Sequence, residues 1–294
     1  MIGVSRRPRE PPQRALGRLA RVPASAGRGI ERFVDEVRAE SWSHLQELLY
    51  EDSWQEELGR FRSDRVFRGQ QDAAADLTTS LARLGGPYAQ LERHLLRNFR
   101  KYAHRDSRYG SFWDWLAVAK HHGLPTRVLD WTHSPYVALH FATATPAAYR
   151  CDAVVWSVDY VQAARHLPAP LRRILDDEGS NSFTTEMVEQ AATSLEELDR
   201  LADDEDFVLF LEPPSLDERI VNQYALFSLM SSAEARLDEW LEARPGLARR
   251  IVIPAELKWE VRDKLDQANV TERVLFPGLD GIALWLKRHY APRE

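Results

Sequence analysis

Residues 119–136 read AKHHGLPTRVLDWTHSPY, and few stretches this short hold so many kinds of reactive side chain. Two adjacent histidines, a Thr-Arg pair and an Asp-Trp-Thr run stand directly before an apolar segment. His121, His122, Asp130, His133 and His140 suggest metal ligation at first sight. Their spacing does not match H-E-x-x-H, and the single cysteine, Cys151, supplies no thiolate cluster, so no metal site is expected. Asp130 is more informative. A carboxylate between Leu129 and Trp131 needs a partner to offset its desolvation, and Arg127 or Arg68 can supply one. It reads equally as half of a buried structural pair or as a catalytic acid.

Arg68 stands in VFRGQQ (66–71) near the end of an apolar run. It must reach solvent or meet an anion, and its planar fork suits phosphate or carboxylate. Gly69 beside it would let a ligand approach the backbone closely. A third polar group is ERIVNQYALF, where Asn222 and Gln223 head an apolar run and Arg219 lies one turn earlier. Paired amide donors and acceptors can read a carboxamide or a ribose edge. They can equally mark an ordinary strand edge. No GxSxG elbow is present, and Cys151 has no basic neighbour except Arg150, which argues against nucleophilic hydrolysis. The tryptophans at 113, 115, 131, 156 and 285 fall at core spacings, with room for one or two to line a nucleobase pocket.

These groups need elements to hold them. Periodicity predicts one long amphipathic helix from Ile30 through Leu49, then a strand at 66–70 that breaks at Gly69. A helix should open at Pro87, and another should run from a Ser111 cap to a Gly123 stop. TRVLDW (126–131) reads as a strand with Val128 and Asp130 facing one way, followed by a helix with Pro135 in its first turn. Further strands are expected at 153–158, 207–212, 222–230 and 249–254, with helices at 255–268 and from about Leu279. Strands and helices interleave irregularly, and no GxGxxG or GxxxxGK[ST] loop is present. The class is therefore α+β, a central mixed or antiparallel sheet flanked by helices.

Composition narrows the function. The 294 residues carry a net charge of −6, which argues against a general electrostatic grip on nucleic acid. Residues 1–28 hold seven arginines against one acid, with four prolines, and read as a disordered leader without a secretory apolar core. Residues 29–294 read as a single domain with a helical insertion at about 160–206. Twelve acids between Asp176 and Asp206 face one arginine there, the pattern of a solvated face. No apolar run approaches the roughly 20 residues that span a bilayer. With one cysteine and no secretory signal, a cytoplasmic location fits.

FRGQ (67–70), HHGLPTRVLDWTHSPYVALHFA (121–142), RIVNQYALF (219–227) and LFPGLDGIALWL (275–286) together resemble the FRG domain family. The family's second block is similar to QHYGLPTRLLDWT. Here Lys120 stands in place of the usual Gln and His122 in place of a common Tyr. The order of the motifs is similar to that of ADP-ribosyltransferases, and the resemblance implies such a fold with NAD as the substrate. On that mapping Arg68, Thr126, Asp130 and Gln223 are the catalytic set. Gly69, Gln70, His122, Arg127, Trp131 and Arg219 would contact the nucleotide. Gln223 stands where those enzymes place a glutamate, so either Asp130 or Glu212 would supply the carboxylate. The activity implied is ADP-ribosyl transfer or NAD hydrolysis, with a protein, a nucleic acid or water as acceptor, in a toxin or phage-defence effector. The alternative is a non-catalytic nucleotide-binding or protein-interaction module.

Overall fold

The computed structural model describes residues 34–103, 110–215 and 217–292, which belong to one unit. The Arg/Pro-rich leader, with Ile30 and Phe33 of the expected first helix, lies outside the described residues. The rest of that segment is not one helix. It makes strand β1 (Asp35–Arg38) and then helix α1 (Trp42–Tyr50). The break is local. Ser41 is extended at φ −157°, and its hydroxyl accepts from the amide of His44 as an N-cap. Val37, freed from helical geometry, pairs with Ile251.

A small hairpin follows, β2 (Trp54–Gln55) with β3 (Arg60–Phe61). β4 (Arg65–Gln70) runs through Gly69 to Gln70 and does not break there. Helix α2 (Tyr88–Tyr102) starts behind Pro87. Helix α3 (Phe112–His121) carries a reciprocal Ser111–Asp114 cap and is followed by Gly123 at φ +82°. β5 (Leu129–Thr132) starts later than TRVLDW suggests. The Thr126 and Arg127 amides bond to Ser80 Oγ and Glu92 Oε1, not to a neighbouring strand. Helix α4 (Pro135–Ala142) is capped by Ser134 with proline in its first turn, as expected.

β6 (Ala153–Asp159) leads into α5 (Tyr160–Ala163), α6 (Ala169–Glu178), α7 (Thr185–Ala191) and α8 (Leu195–Asp199), the helical insertion. It is no mere solvated appendage. Leu171, Phe183, Val188, Leu195 and Leu198 are core residues, and Phe183 bridges to Leu211. β7 (Val208–Leu211), α9 (Glu218–Asn222) and β8 (Ala225–Met230) come next. Asn222 thus ends a helix and Gln223 is its C-cap, so neither heads the strand. α10 (Leu237–Glu242), β9 (Ala248–Ile253), α11 (Lys258–Gln267), α12 (Glu272–Leu275) and α13 (Leu279–His289) complete the chain. No helix among the described residues is long and apolar enough to cross a membrane.

Seven strands form one mixed sheet in the order β1-β9-β6-β4-β5-β8-β7. β1 and β9 run parallel; every other pair is antiparallel. One sheet face carries a continuous core that includes Val66, Trp131, Trp156, Phe210 and Leu226. The opposite face is divided. Phe67, Val155 and Ile251 pack with α1, α4 and α11, while Leu209, Phe227 and Leu229 pack with α3 and the insertion. The boundary falls at β4 and β5, which share a single register pair, Phe67 with Thr132. A sheet so thinly joined at its middle leaves space between the two half-cores.

Candidate functional site

That space is a cavity of about 780 Å³. Phe67 comes to its wall from one half-core and Phe227 from the other; Phe141 and Ile220 add apolar surface. Arg68, Lys120 and Arg219 bring positive charge, and Asp130 is the one carboxylate among its lining residues.

Arg68 leaves β4 and reaches across the poorly paired gap. Its Nη1 donates to the backbone carbonyl of Asp130 at 2.7 Å and lies 3.9 Å from Asp130 Oδ2. Its Nε is buried with no hydrogen-bond partner among the described residues. Burial pushes the guanidinium below its ordinary value, Asp130 opposes this and Arg83 adds to it. The group remains a cation at any physiological pH, because arginine starts so far above neutrality.

Asp130 sits at the centre of the electrostatics. Its Oδ2 accepts from Lys120 Nζ at 2.5 Å. The side chain is 55% exposed, yet protein surrounds it closely, since the surface it shows is the cavity's. Burial pushes the carboxyl up, but Lys120, Arg68 and more distant Arg219 outweigh that and hold it below the usual carboxylate range. It is an anion already neutralised. Arg219 rests over the Phe276 ring at 4.9 Å, with no carboxylate in ion-pair range among the described residues. The cavity therefore keeps a positive surplus.

Other expected residues line the cavity in committed roles. Gln70 Nε2 donates to the Asp76 carbonyl at 2.9 Å, and its Oε1 accepts from Trp156 Nε1 at 2.8 Å. Gln223 Nε2 donates to the Leu275 carbonyl at 2.9 Å, while the backbone carbonyl of Gln223 accepts from Thr132 Oγ1 at 2.7 Å. His122 is an exposed rim residue, and its neighbour His121 places Nε2 2.7 Å from Asp217 Oδ2. Gly69 has a different use from the ligand approach expected of it. A Cβ built there would lie 1.9 Å from the Ala138 carbonyl and 2.7 Å from the Ala142 amide, so its bareness lets α4 pack on β4.

Three expected residues act elsewhere. Thr126 is 1% exposed and does not line the cavity; its backbone is tied to Ser80 and Leu81. Arg127 is 5% exposed and points into the core, where Nε meets Glu92 Oε2 at 2.8 Å and Nη1 meets Asp199 Oδ1 at 2.5 Å. It is not the partner of Asp130. Trp131 borders the cavity, but its indole donates to Ser228 Oγ at 2.8 Å and packs against Phe210 within the opposite core. Strand alternation explains this, since Asp130 and Trp131 must face opposite ways. Glu212 accepts from Ser182 Oγ at 2.6 Å and is absent from the cavity lining, leaving Asp130 as the available carboxylate.

Sequence reasoning missed Lys120, Phe141 and Ile220. Lys120 had a visible cue, a cation beside the paired histidines and one turn before the Gly123 stop. Among the described residues no cluster of His, Cys, Asp or Glu could hold a metal ion.

Comparison with protein families matches residues 63–151 to the FRG domain. The chain carries an FRG domain. The matched span contains Arg68, Lys120, His121, His122 and Asp130, the electrostatic heart of the cavity. Arg219 and Gln223, which close it, lie beyond the match, as do residues 275–286. The matched span thus supplies one wall, and α9 with β8 supplies the other. No curated protein and no solved structure matches the chain significantly.

Proposed function

We propose that the cavity binds a phosphorylated nucleotide of the NAD class and that the protein is an ADP-ribosyltransferase-like enzyme. The observation that carries the binding half is the positive surplus beside a buried, unsatisfied Arg68 Nε. Arg68 and Arg219 offer forked donors suited to a pyrophosphate, and Phe141 and Phe227 offer apolar surface for a ring. The volume lies in the range of small-molecule sites, about 300–1,000 Å³.

In the proposed reaction the bond between nicotinamide and the ribose C1′ breaks, and nicotinamide leaves with the electron pair. An oxocarbenium-like centre is left at C1′. A nucleophile from protein, nucleic acid or water then bonds to C1′ and loses its proton. Asp130, ionised at neutral pH, is the group that would stabilise the positive centre or orient the 2′-hydroxyl. Gln223 would hold a hydroxyl without adding charge. Consumption of NAD would suit a toxin or phage-defence effector.

A second reading is specific enough to keep: nucleotide binding without turnover. The Lys120–Asp130 ion pair at 2.5 Å favours it, because a carboxylate already neutralised by Lys120 stabilises a cation less well. Calorimetry with NAD and assay of nicotinamide release separate the two. Binding with release that is lost in Arg68→Ala supports the enzyme; binding without release supports the module. Absence of NAD binding would sink both.

A further inference from the structure

Helix α13 is held to the rest of the protein by its less apolar side. Gly281 is buried, and a Cβ there would lie 1.8 Å from the Phe276 carbonyl, so the helix sits tight against the turn before it. Arg288, 8% exposed, donates to Glu272 Oε2 at 2.8 Å and to Asp266 Oδ1 at 2.7 Å. Trp285 is half-buried beneath the Arg273 guanidinium, 4.8 Å from its ring. These contacts fix one face.

The opposite face is apolar and uncovered. Leu279, Ile282, Leu286 and Tyr290 are 83%, 43%, 40% and 78% exposed, and Ala283 is exposed between them. Their spacing puts them in one stripe about half a turn around from Gly281 and Arg288. An amphipathic helix ordinarily buries such a stripe, and a contiguous exposed one marks an interaction surface.

We propose that the stripe is the interface of a two-fold dimer in which α13 packs antiparallel to α13 of a second copy. Charge chooses that occupant and that direction. Asp280 and Lys287 are seven residues apart, two helical turns, and therefore share one flank of the stripe. Antiparallel pairing across a two-fold near Ala283 sets Asp280 of each copy beside Lys287 of the other, forming two reciprocal ion pairs. Parallel pairing would put the two copies of this flank on opposite sides of the interface, with no ion pair across it. Ala283, the smallest residue of the stripe, stands at the crossing, where it lets the helix axes approach closely. Four large apolar side chains with this rim make a small interface, at or below the low end of specific ones at roughly 600 Å² a side, which suits a weak, concentration-dependent dimer.

Sedimentation velocity on the full chain tests the proposal. The expected result is a concentration-dependent monomer–dimer equilibrium that Ile282→Glu or Leu286→Glu abolishes while the thermal melt of the monomer stays unchanged. Both positions are partly exposed in the monomer, and its thermal melt checks that each variant keeps the fold. Lys287→Asp should weaken the dimer on the order of tenfold by setting carboxylates against each other, and adding Asp280→Lys should restore it. A wild-type chain that stays monomeric at every concentration overturns the proposal and leaves the stripe to some other partner. A dimer indifferent to Ile282→Glu and Leu286→Glu overturns it too, as does a charge exchange that fails to restore affinity.

Discussion

Arg68 and Arg127 look alike in the sequence, each an arginine beside an apolar run and each a possible partner for Asp130. Their surroundings could hardly differ more. Arg127 is enclosed by Glu92, Asp199 and the Ser231 carbonyl, so its donors are spent on the protein. Burial would lower its guanidinium, but Glu92 and Asp199 overcome that and raise it. Arg68 has one carbonyl, a distant carboxylate and an unsatisfied Nε. The first is a structural rivet between α2, α8 and β8; the second keeps donor capacity in a cavity. Of these two arginines the satisfied one serves architecture, while the partly unsatisfied one lines a cavity where a ligand could complete it.

The contrast can be broken, and the largest effect should come from the rivet. Arg127→Ala strands the buried Glu92 carboxylate and should cost about 3–5 kcal/mol of unfolding free energy in urea titration. A loss no larger than that of Arg68→Ala would erase the distinction. Next comes a second buried network, in which His140 Nδ1 meets Arg262 Nη1 at 2.8 Å. Burial, then Arg262, pushes the imidazole down to about 4. The unfolded chain gains this proton near pH 6.5 and the folded chain only near 4, so folding weakens as the pH falls between those values. The loss should be on the order of 3 kcal/mol, and smaller in His140→Gln when stabilities at both ends of that window are compared.

Gly69→Ala tests the wall between the two regions. It drives a methyl into the backbone of α4 and should cost about 1–3 kcal/mol in thermal melts. Arg68→Ala should disturb stability far less but weaken the proposed binding of NAD roughly tenfold or more in calorimetry, as loss of a charged hydrogen bond does. The smallest change is Lys120→Gln, which removes the cation and keeps a hydrogen-bonding side chain. The Asp130 carboxyl should move up towards its ordinary value in a carbon-detected NMR titration; an unmoved Asp130 would show that Lys120 does not control it.

Much of the fold was legible from residues with strong local preferences. Ser111, Gly123 and Pro135 marked helix ends correctly, and the apolar runs at 153–158 and 207–212 became central and edge strands. The failures lie where tertiary contacts outvote local pattern. Val37 fits a helical period, yet β9 recruits it into a strand. Asn222 and Gln223 precede an apolar run, yet their side chains are claimed by the Val274 and Leu275 carbonyls. The acidic insertion reads as solvated, yet one of its acids, Asp199, neutralises Arg127.

For the site, the sequence alone picked out most of the polar residues that gather at the cavity beside β4 and β5. Arg68, Asp130, Gln70, His122, Arg219 and Gln223 all border the cavity. Strand alternation turns Asp130 and Trp131 to opposite faces, although the family mapping had set both against the nucleotide. Only the tertiary structure decided that Thr126 and Arg127 turn inward, that Gly69 serves helix packing and that Lys120 holds Asp130. The reason is physical. A residue's type fixes what bonds it can make, but partners 46 to 104 positions away, such as Ser80 for Thr126 and Ser231 for Arg127, decide which bonds it has left to offer.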